Sequence, residues 1–409
     1  MKKALNALIL LGLMALQVSA EEPRPYYGAV PGALPYVQKQ LQAGDASLQA
    51  VMKKLYADAE KTLSVEPPSV VEKKKVPPSG NLHDYMSLAP YFWPDPNKPK
   101  GVPYIRKDGQ VNPESRQLDA NDTVRVRTLG SAVETLALAY YFSHEEKYAA
   151  QAAKFLKVWF LDEATRMNPH LNYAQAVLGV NDGREEGVLE GMSIMNAIDV
   201  TTLLTGSKAW TATEQKALDQ WTADYLKWLQ TSTLGQKEGA AKNNHGTWYD
   251  VQKTRLALCL GQKELAQETI RTALTKRLAT QIEPDGRQPL ELARTTSLGY
   301  SSYNLKAWSE LAIVGEHVQV DVWNYKTKDG RSLRAAFDFL LPYLGENAKP
   351  WPYKQIHDAK PENLFIAMRR ASQVWSVPAY EKLLSELPKS DAKRFQLMVP
   401  LGLTTAPSR

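Results

Sequence analysis

The chain holds one cysteine, Cys259, among its 409 residues, so no internal disulfide can form. Histidines number only six, and no His-Glu-x-x-His, paired-cysteine or EF-hand spacing occurs, so neither a metal nor a cofactor is expected. Gly-rich nucleotide loops are absent, and no basic run is long enough to suggest nucleic acid. The triplet Lys73-Lys74-Lys75 reads as a solvated face. Clean strand alternation is almost missing. After residue 20 no apolar run reaches the ~18 residues that a bilayer span needs. What remains, 44% hydrophobic and 23% charged, is the composition of an ordinary globular protein.

The first twenty residues read differently. Lys2 and Lys3 precede the apolar run Leu8–Leu16, and Val18-Ser19-Ala20 then offers a cleavage site before Glu21-Glu22. The pattern predicts a signal peptide over 1–20, which leaves a single domain over 21–409. Removing two lysines takes the net charge from +6 to +4. An exported protein is expected, periplasmic in a Gram-negative host and with no membrane attachment after cleavage. Cys259 lies in the apolar run Leu256–Leu260 and reads as a buried helical thiol.

Apolar positions three and four apart predict helices over Leu34–Leu63, Asp122–Phe142, Glu146–Leu161, Glu186–Thr205, Ala212–Gln230, His245–Leu260 and Lys263–Gln281. Further ones are predicted over Asn304–Val314, Ser332–Leu344, Pro361–Ser372 and Ala379–Ser385. The fold class is therefore all-α. Without a motif of fixed period, a solenoid is disfavoured against an (α/α) toroid or incomplete barrel of helical hairpins with long active-site loops.

Four stretches break the helical pattern: Glu66–Arg116, Met167–Arg184, Gly235–Asn244 and Glu283–Tyr300. Function concentrates in such loops. In the first, Tyr91-Phe92-Trp93 offers aromatic rings that either pack the loop or stack on sugars. In the second, Asn181-Asp182-Gly183-Arg184 is a turn sequence. Arg184, just before a helix, is unfavourable for the dipole and calls for an anionic ligand or a salt bridge. In the third, Asn243 or Asn244 caps a helix. The helix start should lower the proton affinity of His245, leaving the neutral imidazole that a base requires. His83, His144, His170, His317 and His357 lack such a setting. In the fourth, Arg294, Tyr300 and Tyr303 could converge on one ligand, or serve as an ion pair and packing.

The segments Tyr85–Pro96, Gly101–Asn112, Asn243-Asn244-His245 and Glu291-Leu292-Ala293-Arg294 through Tyr300 together resemble the alginate lyase superfamily of polysaccharide lyases. The resemblance covers roughly residues 65–360. It implies an α/α toroid and cleavage of a 1,4-linked uronan by β-elimination without a metal, leaving 4,5-unsaturated ends. By that resemblance, Asn244 and Arg294 would neutralise the uronate carboxylate. His245 would act as base or neutralising partner, and Tyr300 as acid and, for syn-elimination, also as base. Asn181, Arg184, Asn243, Tyr91, Trp93 and Tyr303 would contact the substrate, an acidic polysaccharide or oligosaccharide. Arg294 and Tyr300 stand one residue closer than in the better-known members, so Tyr303 is an alternative catalytic tyrosine.

The chemistry suits those residue types. The C5 proton is too weakly acidic while the adjacent carboxylate keeps its full charge, so hydrogen-bond donors must stabilise the enolate-like dianion. A base then removes the proton, and an acid protonates the departing O4. In β-linked mannuronate the proton and O4 share a side and one tyrosine can serve both. In guluronate they lie opposite and a second group is required. The residues permit alginate (polymannuronate or polyguluronate) or glucuronan, with β-linked chains favoured. Two other classes compete: a glycoside hydrolase on the same toroid, drawing on Asp182, Glu186, Asp250 or Glu291, and a non-catalytic binder of acidic oligosaccharides. Glu291 is otherwise expected to orient Arg294.

Overall fold

Apolar positions at helical spacing organise nearly everything after residue 120, and a computed structural model shows how those helices meet. The structure describes residues 24–358, 364–386 and 394–403. The expected signal peptide lies outside the described residues, as do the first residues of the helix predicted over Pro361–Ser372. The amino-terminal half carries α1 (Ala33–Gln42), α2 (Ala46–Thr62), α3 (Thr123–Ser143), α4 (Glu146–Leu156), α5 (Gly191–Asp199), α6 (Ala212–Thr231) and α7 (Thr233–Gly239). There follow α8 (Asn244–Cys259), α9 (Lys263–Thr272), α10 (Ala279–Gln281), α11 (Pro289–Leu292), α12 (Ser297–His317) and α13 (Leu333–Leu340). The last are α14 (Phe365–Trp375), α15 (Pro378–Glu386) and α16 (Phe395–Met398).

Neighbour contacts run in a ring, α3 to α5 to α8 to α12 to α14 to α16 to α2 and back to α3. Outside it, α4 packs on α3, α6 and α9 on α8, α13 on α12, and α15 on α14. This is the expected toroid. Inner helices have protein on all sides, so α3, α8 and α12 bury residues around nearly their whole circumference, whereas the outer α4 and α9 bury one stripe. A continuous apolar cluster joins the layers. Cys259 is buried at the end of α8 as expected, its thiol pushed up to about 12 chiefly by burial.

The helical boundaries differ where distant parts of the chain intervene. The helix predicted over Leu34–Leu63 is two, because Gly44 turns with φ 87° and Asp45 caps α2 by accepting from the amides of Ser47 and Leu48. The stretch predicted as Glu186–Thr205 is a 3₁₀ turn, α5 and another 3₁₀ turn. The last helix before residue 320 begins at Ser297 rather than Asn304. Its first amides are satisfied from a remote loop: Ser297 N–H donates to the Lys354 carbonyl and Leu298 N–H to Gln355 Oε1. Tyr300 and Tyr303 thereby lie one turn apart on α12.

The strands are short. β1 (Met86–Leu88) pairs in parallel with β4 (Tyr173–Ala176), and β2 (Phe92–Trp93) pairs antiparallel with β3 (Ile105–Arg106). These pairs fix the proline-rich loop across one mouth of the ring. Lys73 corrects the expectation of a solvated triplet. Lys74 and Lys75 are exposed, but Lys73 is buried, 3.0 Å from Asp122 Oδ2 and donating to the Leu82 carbonyl. Asp122 also accepts from the Met86 amide, so the pair ties the loop to the start of α3. Among the described residues no helix is long and apolar enough to cross a membrane. Lys73→Ala leaves Asp122 buried with the more distant Arg125 as its one paired counter-charge among the described residues. It is expected to cost about 3 kcal/mol, read as a shift in the urea midpoint.

Candidate active site

The mouth of the ring opens into a cavity of about 840 Å³ lined by residues from every irregular stretch. Asn243, Asn244 and His245 enter it from the start of α8, Arg294 from the turn after α11, and Tyr300 and Tyr303 from α12. Tyr91, Arg106, Gln175 and Arg184 come from the loops across the mouth. A smaller recess of about 360 Å³ shares Tyr91, Gln175, Arg127 and Tyr303 with it.

Asn243 is the cap of α8, its Oδ1 accepting from the His245 amide at 3.3 Å. The turn is held tightly from behind. Arg277 donates to the carbonyls of Ala241 and Gly239 and pairs with Asp250 at 2.6 Å. A Cβ on Gly246 would stand 1.8 Å from that guanidinium, so only glycine admits the brace. Asn244 is wholly buried, its amide N–H and Nδ2 donating to the two Glu291 oxygens at 2.6 and 2.8 Å. Glu291 therefore holds Asn244 and does not orient Arg294 as expected.

His245 also departs from its expectation. Its Nδ1 is 2.7 Å from Oε1 of the buried Glu238. Burial lowers the proton affinity of the imidazole, but the hydrogen bond and charge of Glu238, with Glu186 and Glu291 nearby, raise it above the ordinary histidine value. A full carboxylate in contact outweighs the half-charge of a helix end. Glu238 lies on α7, in a stretch predicted to be irregular. There the Ser232 hydroxyl caps a short helix by accepting from the Gly235 amide.

Arg294 is oriented by Asp108, which the sequence reading missed. Arg294 Nη2 donates to Asp108 Oδ1 at 2.6 Å and Nε to Oδ2 at 3.2 Å, while Thr295 donates to the same carboxylate. Partial burial pushes the Asp108 carboxyl up, yet these donors hold it well below the usual carboxylate range. Arg294 Nη2 also donates to the Tyr300 oxygen at 2.7 Å, its guanidinium 3.7 Å from the Tyr300 ring centre. Tyr300 in turn donates to the Tyr91 oxygen at 3.0 Å. Burial and Tyr91 raise the Tyr300 phenol far above its ordinary value, against the pull of Arg294. Tyr303 is also raised by burial and packs on Trp248 at 4.9 Å.

Not every expected residue reaches the cavity. Asn181 is exposed and shapes its own turn, its Oδ1 accepting from the Val177 amide at 3.1 Å. Trp93 donates to the Gln110 carbonyl and lies under Lys107, bracing the loop. Arg184 lines the cavity through the salt-bridge alternative, pairing with Glu186 at 3.0 Å and donating to Gln175 at 2.9 Å. Of the carboxylates considered for hydrolysis, Asp250 is spent on Arg277 and Glu291 on Asn244, Asp182 is exposed outside the cavity, and Glu186 alone lines it. His357 lines the cavity although its sequence setting gave no sign of it. Among the described residues no group of three or more His, Cys, Asp or Glu could hold a metal ion.

A helical toroid whose mouth gathers Asn, His, Arg and Tyr in one cavity defines the class of α/α-toroid polysaccharide lyases. Residues 69–351 match the family described as alginate lyase, and the chain belongs to that family. An alginate lyase from Bacteroides ovatus is similar at 43% identity, covering 92% of this chain and 100% of its own, with a TM-score of 0.86. Alginate lyase A1-III from Sphingomonas species A1 is 15% identical, covering 84% and 94%, with a TM-score of 0.52. A variant of that enzyme complexed with tetrasaccharide reaches 0.59, at 15% identity over 94% and 97%. These more distant likenesses speak for the fold. Among curated proteins none matches.

Glu238→Gln removes the charge that raises His245. The imidazole is then expected to titrate at lower pH, read from its ring resonances by NMR across a pH series; an unmoved midpoint would dissociate the two residues.

Proposed function

We propose that the protein cleaves the β-linked mannuronate blocks of alginate by metal-independent syn-elimination. The observation that carries this reading is the contact between Arg294 and the Tyr300 oxygen in the cavity that also holds Asn244 and His245. The family and the Bacteroides ovatus alginate lyase support the substrate class.

In this reading the uronate carboxylate meets the His245 imidazolium, kept charged by Glu238, and the Asn244 amide. Their donors stabilise the dianion that forms as C5 loses its proton. Tyr300, its proton affinity raised by burial, starts the cycle as a neutral phenol. Its own proton leaves through Tyr91, the guanidinium of Arg294 stabilises the phenolate, and the phenolate takes the C5 proton. The same oxygen then gives that proton to O4 as the glycosidic bond breaks and the C4–C5 double bond forms. Tyr91 and Arg184 would bound the neighbouring sugars. The leader-like pattern over residues 1–20 fits export to where such a polymer is met, the periplasm in a Gram-negative host.

Ultraviolet absorbance should rise with time on polymannuronate, with chelator present, and remain flat on polyguluronate, glucuronan and uncharged glucan. Reducing ends without absorbance would identify a hydrolase, and a rise on glucuronan alone would change the substrate. Tyr300→Phe is expected to lower kcat by roughly 10²–10⁴-fold with an unchanged circular dichroism spectrum, whereas near-normal turnover would move the role to Tyr303. Arg294→Lys should be poor as well, because a point charge does not replace the planar fork.

The pH profile separates the two roles for His245. A neutralising imidazolium works below its raised pKa and is lost above it, so Glu238→Gln should move the alkaline limb of kcat/KM to lower pH. A histidine base would instead gain activity on the acid side in that variant.

A further inference from the structure

Asn244 presents an electrostatic contradiction. It is 0% exposed, its Nδ2 donates to Glu291 Oε2, and its Oδ1 has no hydrogen-bond partner among the described residues. A buried acceptor without a donor is costly. The same side chain lines the cavity, where the proposed substrate brings a carboxylate, and an oxygen turned toward a carboxylate repels it. The amide group that could bind the anion is its NH₂, and one of its two N–H bonds is already given to Glu291 Oε2.

The two ends of an amide are nearly identical in shape and can be exchanged by rotation. After rotation Asn244 Oδ1 would face Glu291 Oε2, two acceptors at hydrogen-bond distance, and a single proton between them makes the contact favourable. The other Glu291 oxygen can keep the Asn244 backbone amide, to which it is now bonded at 2.6 Å. We propose that Glu291 is a positioning residue that takes up one proton when a uronate binds, turning the Asn244 amide so that its NH₂ faces the substrate carboxylate. The proton comes from solvent and stays on Glu291 while the substrate bond is broken.

The surroundings of Glu291 permit both states. It is buried on α11 at 2% exposure, which raises its proton affinity, and Asn244, His245 and Arg294 oppose that by favouring the ionised form. Burial prevails, so the carboxyl sits above the ordinary glutamate value. Glutamine at this position would reproduce the protonated acid, with its oxygen for the Asn244 amide N–H and its NH₂ for Asn244 Oδ1.

The inference rests on the uronan reading above, and the test keeps the two apart. In a Tyr300→Phe background, where turnover is expected to be slow, affinity for a mannuronate tetrasaccharide is measured by calorimetry from about pH 5.5 to about pH 9.5, a range that spans the values documented for buried glutamates. Absence of binding at every pH, with no absorbance rise in the wild type, would count against the uronan reading itself. Given binding, adding Glu291→Gln should make the alkaline fall in affinity shallower by about one proton, that is, by up to about tenfold per pH unit. Coincident pH dependences, or a parent affinity that is flat throughout, would overturn the proposal. In the Tyr300 wild-type enzyme, Glu291→Gln should stay within about tenfold of wild-type kcat/KM at pH 6, and Glu291→Ala should fall about 100-fold or more. Equal losses in the two would also refute it. A flat parent series refutes the proposal with no substitution at Glu291, and the comparison with Glu291→Gln, which separates Glu291 from His245, does not depend on the folding of Glu291→Ala.

Discussion

A helix that starts inside a protein cannot leave its first amides to water. The start of α8 answers that constraint with side chains, and the candidate site is a consequence of the answer. Asn243 takes the His245 amide, Glu291 takes the Asn244 amide, and Arg277 ties the preceding carbonyls of Gly239 and Ala241 against Gly246. Each partner comes from a different element. The turn that presents Asn244 and His245 is therefore fixed only when α7, α8, α11 and the segment after α9 are all assembled around it.

The same economy governs charge. Asp108 and Glu238, the one partly and the other almost wholly buried, each hold a side chain that lines the cavity, Arg294 and His245 respectively. Asp108 crosses from the proline-rich loop to Arg294, so a distant stretch of chain sets the angle at which the guanidinium meets Tyr300. Paired in this way, Arg294 keeps its charge despite partial burial and His245 is more readily protonated than an ordinary histidine. A cavity floored by such groups suits an anionic polymer, although the net charge of the whole chain is modest.

Most of the architecture was legible because it follows from a local period. The apolar spacing that marks α3, α6, α8 and α9 in sequence reflects packing on a neighbour, and a closed ring supplies that neighbour for every helix. The readings that failed were those where a remote group decided the outcome. α12 starts seven residues early because the Lys354 carbonyl and Gln355 take its free amides. Lys73 is interior because Asp122 waits for it there. Asn181 and Trp93, named from residue type as substrate contacts, hydrogen-bond within their own loops and are not among the residues that line the cavity.

Residue type and motif order by themselves determined the helical class and the family and singled out Asn244, His245, Arg294 and Tyr300, which the structure gathers around one cavity, because those depend on chemistry that a side chain carries wherever it is placed. Only the tertiary structure decided the partners: Glu238 for His245, Asp108 for Arg294, Glu291 for Asn244 and Tyr91 for Tyr300. Partners decide protonation and orientation, since the field at a buried atom is set by whichever charges lie within a few ångströms. Chain proximity does not report that distance. Asp108 is 186 residues from Arg294 in sequence and 2.6 Å from it in space.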